Sequence, residues 1–219
     1  MRPSRTGFTR RAALAGGVAG LALATLPARA GAAALIPTPA QSEGPFYPVE
    51  LPPETDWDLL RMAGAARPAL GAVTYVEGAI LDRSGRPVPQ AWVEIWQCDA
   101  HGRYHHPGDG HGPLDEGFQG FGRVVTGADG AYRFRTIRPV AYPGRTPHIH
   151  FAVLAPGTRR FITQMYVEGE PGNARDFLLN SVRDEVARRR LVVPLRPRAR
   201  SRAPSRAGSR SFCRWRSSC

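Results

Sequence analysis

The chain has 219 residues and a formal net charge of +12, and all 30 of its basic residues are arginine. Five arginines lie in residues 1–34 and eight in residues 196–219, two segments without acidic residues. The central part contains the remaining 17 arginines and all 18 acidic residues, so its net charge is close to zero. We exclude nucleic acid as its partner. Only Cys98 lies in this central part, which excludes a disulfide framework or a thiolate metal site.

Residues 1–30 have the features of a twin-arginine export signal. Arg10 and Arg11 precede an apolar run, and the segment ends in the small-x-small cleavage pattern ARA at 28–30. The alternative, a membrane anchor, is disfavoured because the run is shorter than the roughly 20 apolar residues that span a bilayer. We therefore predict export, cleavage, a periplasmic or extracellular location, and no membrane association after cleavage.

Two further segments differ in composition from the centre. Residues 31–70 are rich in proline and predict an N-terminal extension that runs over the surface. Residues 196–219 consist mainly of Arg, Ser, Ala and Pro, which is typical of a disordered basic tail. A second hypothesis is that this tail is an out-of-frame translation that replaces a native strand. Residues 71–195 remain as the folded domain.

Short apolar or alternating segments predict six β-strands in this domain. They are 72–81, 91–97, 121–126, 131–137, 148–154 and 160–167. Turns rich in Gly, Pro and Asp separate them, which indicates a mainly all-β sandwich rather than an α/β fold. One C-terminal helix is predicted over 174–189, because Phe177, Leu178, Val182 and Val186 have helical spacing.

The run PHIHF at 147–151 indicates a metal site. In a strand, side chains two residues apart point to the same face, so His148 and His150 would lie side by side. Tyr142 lies shortly before them and Tyr104 further upstream. Phenolate forms near neutral pH only on a strong Lewis acid, and two imidazoles with two phenolates suit Fe(III).

A denser histidine cluster offers a competing zinc site. It consists of His101, His105, His106 and His111. These residues lie among Gly, Pro and Asp, with no strand or helix to fix their geometry. We therefore interpret the cluster as a solvated loop near the mouth of the site, in which His105 and His106 are candidates to contact a substrate.

Longer motifs extend this pattern over most of residues 38–171. The motifs are TPAQSEGPFYP (38–48), GAILDRSGRPVPQAWVEIWQCDAHGRY (78–104), FGRVVTGADGAYRFRTIRP (121–139), AYPGRTPHIHF (141–151) and ITQMYVEGEP (162–171). In this order they resemble the intradiol ring-cleavage dioxygenases. The chain lacks the long helical N-terminal segment typical of catechol 1,2-dioxygenases, so it looks closer to the protocatechuate 3,4-dioxygenase branch.

The resemblance implies a β-sandwich that binds one Fe(III) and uses O2 as co-substrate, without an organic cofactor. The implied ligands are Tyr104, Tyr142, His148 and His150. A small catechol-type aromatic would be opened between its two hydroxylated carbons to a cis,cis-muconate-type diacid. Tyr142 is implied to leave the metal and act as a base.

Three further residues acquire expected roles from the same resemblance. Arg145 would bind beside the substrate and stabilise its ketonised form, Gln164 would hydrogen-bond near the site, and Trp96 would line the pocket. The chain departs from the protocatechuate pattern at Gly144, where Trp often follows Tyr-Pro, and its loop to Arg145 is shorter. A homo-oligomer is compatible with the family.

Two other classes of protein share parts of the pattern. Transthyretin-like and carboxypeptidase-associated sandwiches contain a hairpin similar to that at 78–88 and only bind or connect, but they need neither Tyr142 nor the histidine pair. Cupin-type Fe(II) enzymes use two histidines at this spacing with a carboxylate and a further histidine in place of tyrosines.

Overall fold

Two β-sheets and two short helices make up the part of the chain that the computed structural model describes, residues 35–197 and 211–218. The strands are β1 (Val73–Leu81), β2 (Trp92–Trp96), β3 (Phe121–Val125), β4 (Ala131–Ile137), β5 (His148–Leu154), β6 (Phe161–Val167), β7 (Val192–Val193), β8 (Arg196–Pro197) and β9 (Ser211–Ser218). The helices are α1 (Phe177–Ser181) and α2 (Glu185–Arg189), preceded by a 3-10 turn at Pro171–Ala174. The predicted export signal lies outside the described residues.

The strands form one four-stranded and one five-stranded sheet. Their orders are β4-β1-β9-β8 and β3-β2-β5-β6-β7. The six predicted strands are present with ends that agree within one residue, and the mainly all-β class is confirmed. Strand β5 lies in the middle of its sheet, antiparallel to both β2 and β6. The histidine strand is therefore held on both edges.

The main core consists of the side chains that the two sheets direct toward each other. Ile95 and Ile149 from the five-stranded sheet are fully buried together with Val76 and Phe134 from the other sheet. Because side chains alternate along a strand, His148 and His150 lie on the opposite face from Ile149. The functional side chains therefore lie outside this core.

The proline-rich extension contributes to the core, contrary to the prediction that it runs over the surface. Leu59 is fully buried and Leu60 is 3% exposed, and the Leu59 N–H donates to the Arg135 carbonyl at 2.8 Å. Apolar burial of two leucines stabilises this segment against the sheets. Residue 70 is therefore not a boundary between separately packed units.

The prediction of one helix over 174–189 is wrong, because two separate aspartates begin two short helices there. Asp176 accepts hydrogen bonds from the first N–H groups of α1, and Asp184 does the same for α2. The predicted apolar face is wrong at Phe177 and Val186, whereas Val182 packs against a buried cluster. Phe177 is 65% and Val186 is 54% exposed, whereas Leu179 is buried.

The tail was predicted to lack regular structure, and this is wrong for Ser211–Ser218. These residues form β9, which pairs in parallel with β1 in a register that matches Thr74 with Ser211. Unpaired backbone groups at the edge of β1 supply the hydrogen bonds that local sequence does not predict. The out-of-frame origin of the tail stays a prediction.

Close packing between β3 and the extension requires glycine at position 122. A Cβ there would lie 2.6 Å from Leu59 Cδ1 and 2.8 Å from the Asp56 carbonyl oxygen. We expect Gly122→Ala to lower the free energy of unfolding by about 2 kcal/mol, measured by urea denaturation. Gly110→Ala is the control, since among the described residues no heavy atom beyond its chain neighbours lies within 4 Å of its Cβ position. Equal effects of the two substitutions would contradict the packing argument.

Candidate metal and active site

The two histidines of β5 converge on one point, as their spacing predicted. Their Nε2 atoms lie 3.1 Å apart, and the residues are only 1% and 2% exposed. Trp96 pairs with His150 across the sheet and stacks on its imidazole with ring centroids 4.8 Å apart. On the other side, His150 pairs with Gln164. The rings are thus fixed by strand register and aromatic packing.

Both imidazoles are neutral near pH 7 and keep a lone pair available. Burial, followed by the positive charge of Arg145, lowers the pKa of His148 to about 4. Burial and the neighbouring His148 lower the pKa of His150 well below its usual value. His148 Nδ1 lies 2.6 Å from the Thr146 carbonyl, so we assign the proton to Nδ1. Its Nε2 therefore carries a lone pair.

Tyr104 places a buried hydroxyl beside these rings. The residue is 3% exposed, and its hydroxyl oxygen has no hydrogen-bond partner of normal geometry among the described residues. Its ring stacks on Phe46 at 4.7 Å and lies edge-on to Tyr142 at 5.5 Å. Burial, then the nearby Cys98 and Tyr142, raises the pKa of Tyr104 well above its usual value. A phenolate here requires a cation.

A tight turn brings Tyr142 and Arg145 together. The Arg145 N–H donates to the Tyr142 carbonyl at 3.0 Å, and Gly144 has a φ of +81° at the third position of the turn. Pro143 and Gly144 are the residue types that such a turn favours. Arg145 Nη1 consequently lies 3.4 Å from the Tyr142 hydroxyl. Burial raises the pKa of Tyr142, and the charge of Arg145 acts in the opposite direction.

Arg145 is itself held by three buried polar groups. Its Nε donates to Asp176 Oδ2 at 2.8 Å, and its Nη2 donates to Gln164 Oε1 at 2.6 Å and to the Tyr166 hydroxyl at 3.2 Å. The side chain is only 7% exposed. A buried guanidinium needs such partners, because an isolated charge in the interior is costly.

A segment of the extension lies against the same face of the sheet. A Cβ on Gly44 would be 3.4 Å from His150 Cε1, while Phe46 packs on Tyr104 and Tyr47 lies edge-on to Trp96 at 5.0 Å. Gln164 Nε2 donates to the Ser42 carbonyl at 3.0 Å. This site cover, residues 38–47, helps to exclude water from the ligand face.

These side chains fit a single ferric ion. The Tyr104 hydroxyl is buried without a hydrogen-bond partner of normal geometry among the described residues, an arrangement that is costly unless the site binds a ligand. Two neutral imidazoles and two phenols provide nitrogen and hard oxygen donors. All of the residues predicted for the site are close together. They are Trp96, Tyr104, Tyr142, Arg145, His148, His150 and Gln164.

The four loop histidines do not converge. His111 Nδ1 lies 3.0 Å from Asp109 Oδ1, and His105 Nε2 lies 3.1 Å from the Asp115 carbonyl. His106 contacts Phe46 with ring centroids 5.7 Å apart, so it lies at the edge of the site cover. Within the described residues, no group of three or more His, Cys, Asp or Glu side chains is arranged to hold a metal ion.

Cys98 lies near Tyr104 but is a protonated thiol. Burial, followed by the charge of Asp99, raises its pKa to about 12, and its Sγ donates to the Val140 carbonyl at 3.6 Å. We expect Cys98 to react with a thiol reagent at pH 8 only after denaturation, because thiolate is the reactive form. A variant with Cys213→Ser and Cys219→Ser isolates this thiol. Rapid reaction in the native protein would contradict the assignment.

Sequence reasoning missed two residues that contact Arg145. Tyr166 lies two positions after Gln164 on the same strand, so its place on the ligand face was available from the strand period. Asp176 gives only the signal of a helix N-cap. Its contact with Arg145 spans 31 residues of chain and depends on the tertiary fold.

Comparisons with known proteins agree on one family. A family model described as "Dioxygenase" matches residues 42–212. The chain is 42% identical over 158 residues to the protocatechuate 3,4-dioxygenase beta chain of Burkholderia cepacia, an alignment that covers 68% of this chain and 66% of that relative. The chain thus spans slightly less than two thirds of its length.

Two solved structures have the same fold. One is the dioxygenase domain of a dioxygenase carbohydrate-binding protein fusion from Streptomyces sp. SirexAA-E, with a TM-score of 0.59, 32% identity, and coverage of 84% of this chain and 99% of that chain. The other is catechol 1,2-dioxygenase from Acinetobacter sp. ADP1, with a TM-score of 0.62, 27% identity, and coverage of 83% and 62%.

No described helix has the length and apolar character to cross a membrane.

The resemblance in the motifs is confirmed, including its similarity to the protocatechuate branch. The chain belongs to the intradiol dioxygenase family.

Proposed function

We propose that this chain is a non-haem Fe(III) dioxygenase that opens a catechol-type ring between its two hydroxylated carbons. The observation that carries the proposal is the pair of Nε2 atoms 3.1 Å apart beside the buried Tyr104 hydroxyl, which has no hydrogen-bond partner of normal geometry among the described residues. Family membership implies non-haem iron and O2. The phenol donors support the ferric state, because hard oxygen ligands favour it.

The donor set divides into buried and accessible members. Tyr104, Tyr142, His148 and His150 would hold a ferric ion, which would supply the Lewis acidity that activates a catecholate toward O2. Tyr104, His148 and His150 are buried and suited to remain in place, whereas Tyr142 is half-buried. Tyr142 is therefore the group that we assign to accept a proton from a catechol hydroxyl.

Arg145 supplies positive charge where the substrate develops negative charge. Its Nη1 is adjacent to the Tyr142 hydroxyl, and its low exposure strengthens the electrostatic effect. Both oxygen atoms enter the diacid product, so the reaction balances without an external reductant. Trp96 and the site cover orient the ligand face and exclude water.

The test combines iron content, visible absorption and O2 uptake on the full chain. We expect bound iron, a red-brown colour from iron-tyrosinate charge transfer, and O2 uptake with at least one member of a panel of catechol, protocatechuate and hydroxyquinol. His150→Ala is the inactive control. Stoichiometric iron without colour would favour a cupin-like Fe(II) site, and absence of both iron and O2 uptake would favour the non-catalytic binding module.

We also propose export by the twin-arginine route, which rests on Arg10, Arg11 and the pattern at 28–30. Residues 1–30 fused to a folded reporter protein should direct it out of the cytoplasm, and substitution of both arginines by lysine should block this. Export of the double variant at the unsubstituted level would contradict the proposal.

A further inference from the structure

The buried carboxylate of Asp176, which is not among the proposed metal ligands, forms an ion pair with Arg145. Asp176 Oδ2 accepts from Arg145 Nε at 2.8 Å, and Asp176 Oδ1 lies 3.5 Å from Nη2. The Asp176 side chain is 0% exposed and the Arg145 side chain is 7% exposed. A carboxylate that contacts two nitrogens of a guanidinium fixes the plane of the group as well as its position.

We propose that Asp176 is a positioning residue for ring cleavage, which directs Arg145 Nη1 toward Tyr142 and the substrate. This inference rests on the proposed function and adds a residue whose effect on the substrate passes through Arg145. In the described structure the Asp176 carboxylate bonds Arg145 and backbone N–H groups, and none of the proposed metal ligands.

The hydrogen-bond donors of Arg145 support this orientation. The edge formed by Nε and Nη2 is occupied by Asp176, Gln164 and Tyr166. Nη1 carries two hydrogens, and its one contact among the described residues is the long 3.4 Å approach to the Tyr142 hydroxyl. At least one N–H of Nη1 therefore remains to bind a substrate oxygen.

The carboxylate is immobilised by backbone groups on two sides. Oδ1 accepts from the N–H groups of Leu178 and Leu179 at 3.1 and 2.9 Å, and Oδ2 also accepts from the Thr146 N–H at 3.1 Å. The Thr146 carbonyl lies 2.6 Å from His148 Nδ1. Asp176 thus relates the position of Arg145 to that of a metal ligand.

The competing explanation is that Asp176 only caps α1. Asp184 provides a matched control, because it caps α2 through Oδ1 with Val186 N–H at 2.9 Å and Ala187 N–H at 3.2 Å. Asp184 is exposed, and its carboxylate forms no ion pair with an arginine in the described part of the chain. Substitution by Asn leaves one acceptor oxygen, which can maintain a cap but cannot also bind Arg145.

The experiment compares Asp176→Asn and Asp184→Asn in the iron-loaded protein. We expect Asp176→Asn to lower kcat by about 10- to 100-fold with iron content, visible absorption and KM little changed, and Asp184→Asn to leave all four unchanged. In the Arg145→Ala background, Asp176→Asn should lower kcat no further. Equal kcat in the two Asn variants, or an additional loss in that background, would overturn the inference.

Crystal structures give a readout that does not depend on activity. In Asp176→Asn we expect the Arg145 guanidinium to leave Gln164 Oε1, which is 2.6 Å away in the unsubstituted protein. An unmoved Arg145 would overturn the inference, whereas an unsubstituted protein that opens no catechol would overturn only the proposed function. If the Asn variant does not fold, Asp176→Glu keeps the charge but displaces the guanidinium. It should lower kcat with iron retained, and an unchanged kcat would overturn the inference.

Discussion

Tyr104→Phe should weaken the iron-tyrosinate absorption, because only Tyr142 would remain as a phenolate donor, and lower kcat by about 100-fold or more, while it stabilises the iron-free protein. The hydroxyl is the proposed ligand atom, and it is buried without a hydrogen-bond partner of normal geometry in the described structure. Its removal leaves the stacking on Phe46 intact. The free energy of unfolding of the iron-free variant should therefore rise by about 1 kcal/mol, because an unpaired buried hydroxyl is lost.

Tyr47→Phe is the matched control for the stability measurement. The Tyr47 hydroxyl donates to Glu94 Oε2 at 3.0 Å, so its loss should lower the free energy of unfolding by about 1 kcal/mol. Urea denaturation of both iron-free variants shows whether each substitution raises or lowers the free energy of unfolding. If Tyr104→Phe retains full colour, Tyr104 is not a ligand. If it destabilises the iron-free protein as Tyr47→Phe does, the hydroxyl has a structural partner.

Arg145→Ala should reduce both catalysis and stability by large amounts. Loss of positive charge next to the substrate predicts a decrease in kcat of about 100- to 1,000-fold. Asp176 would then be a buried carboxylate without its guanidinium, which predicts a loss of about 3 kcal/mol in the free energy of unfolding. Steady-state O2 uptake and urea denaturation measure the two effects separately.

Arg145→Lys distinguishes charge from geometry. Lysine keeps the charge but cannot contact Asp176, Gln164 and Tyr142 with one rigid plane, so we expect a kcat well below that of the unsubstituted protein. Arg86→Ala is the control for the stability loss. It removes an ion pair in which Arg86 is 79% and Asp82 is 32% exposed, so it should change the free energy of unfolding by less than about 1 kcal/mol. Full activity of Arg145→Lys would show that the fixed orientation is unnecessary.

The parts of the site that follow strand periodicity were predictable from sequence. The shared face of His148 and His150 depends only on the two-residue period, and the structure has it. Tyr104 and Tyr142 lie in loops, where no period applies, so their roles came from the resemblance in the motifs. Asp176 was not predictable, because the same residue type caps helices throughout proteins and its contact with Arg145 is long-range.

The incorrect predictions of structure have physical causes of the same kind. Helical spacing over 174–189 ignored Asp184, a second start signal that divides the segment. The composition of the tail contains no strand signal, and Ser211–Ser218 forms a strand by pairing with β1. The proline content of residues 31–70 predicted a surface segment, but Leu59 and Leu60 pack into the main core. In the tail and in the extension, tertiary contacts outweighed the local pattern.

The site cover has a consequence for the order of folding. Gln41 Nε2 donates to the Leu178 carbonyl across 137 residues, and Thr163 Oγ1 donates to the Pro39 carbonyl across 124 residues. Contacts between such distant parts of the sequence form slowly, because a long loop must close first. During synthesis the site cover cannot form these contacts until the chain has been made as far as Leu178. We therefore expect the site cover to close late in folding, and the ligand face to stay open to iron until it does.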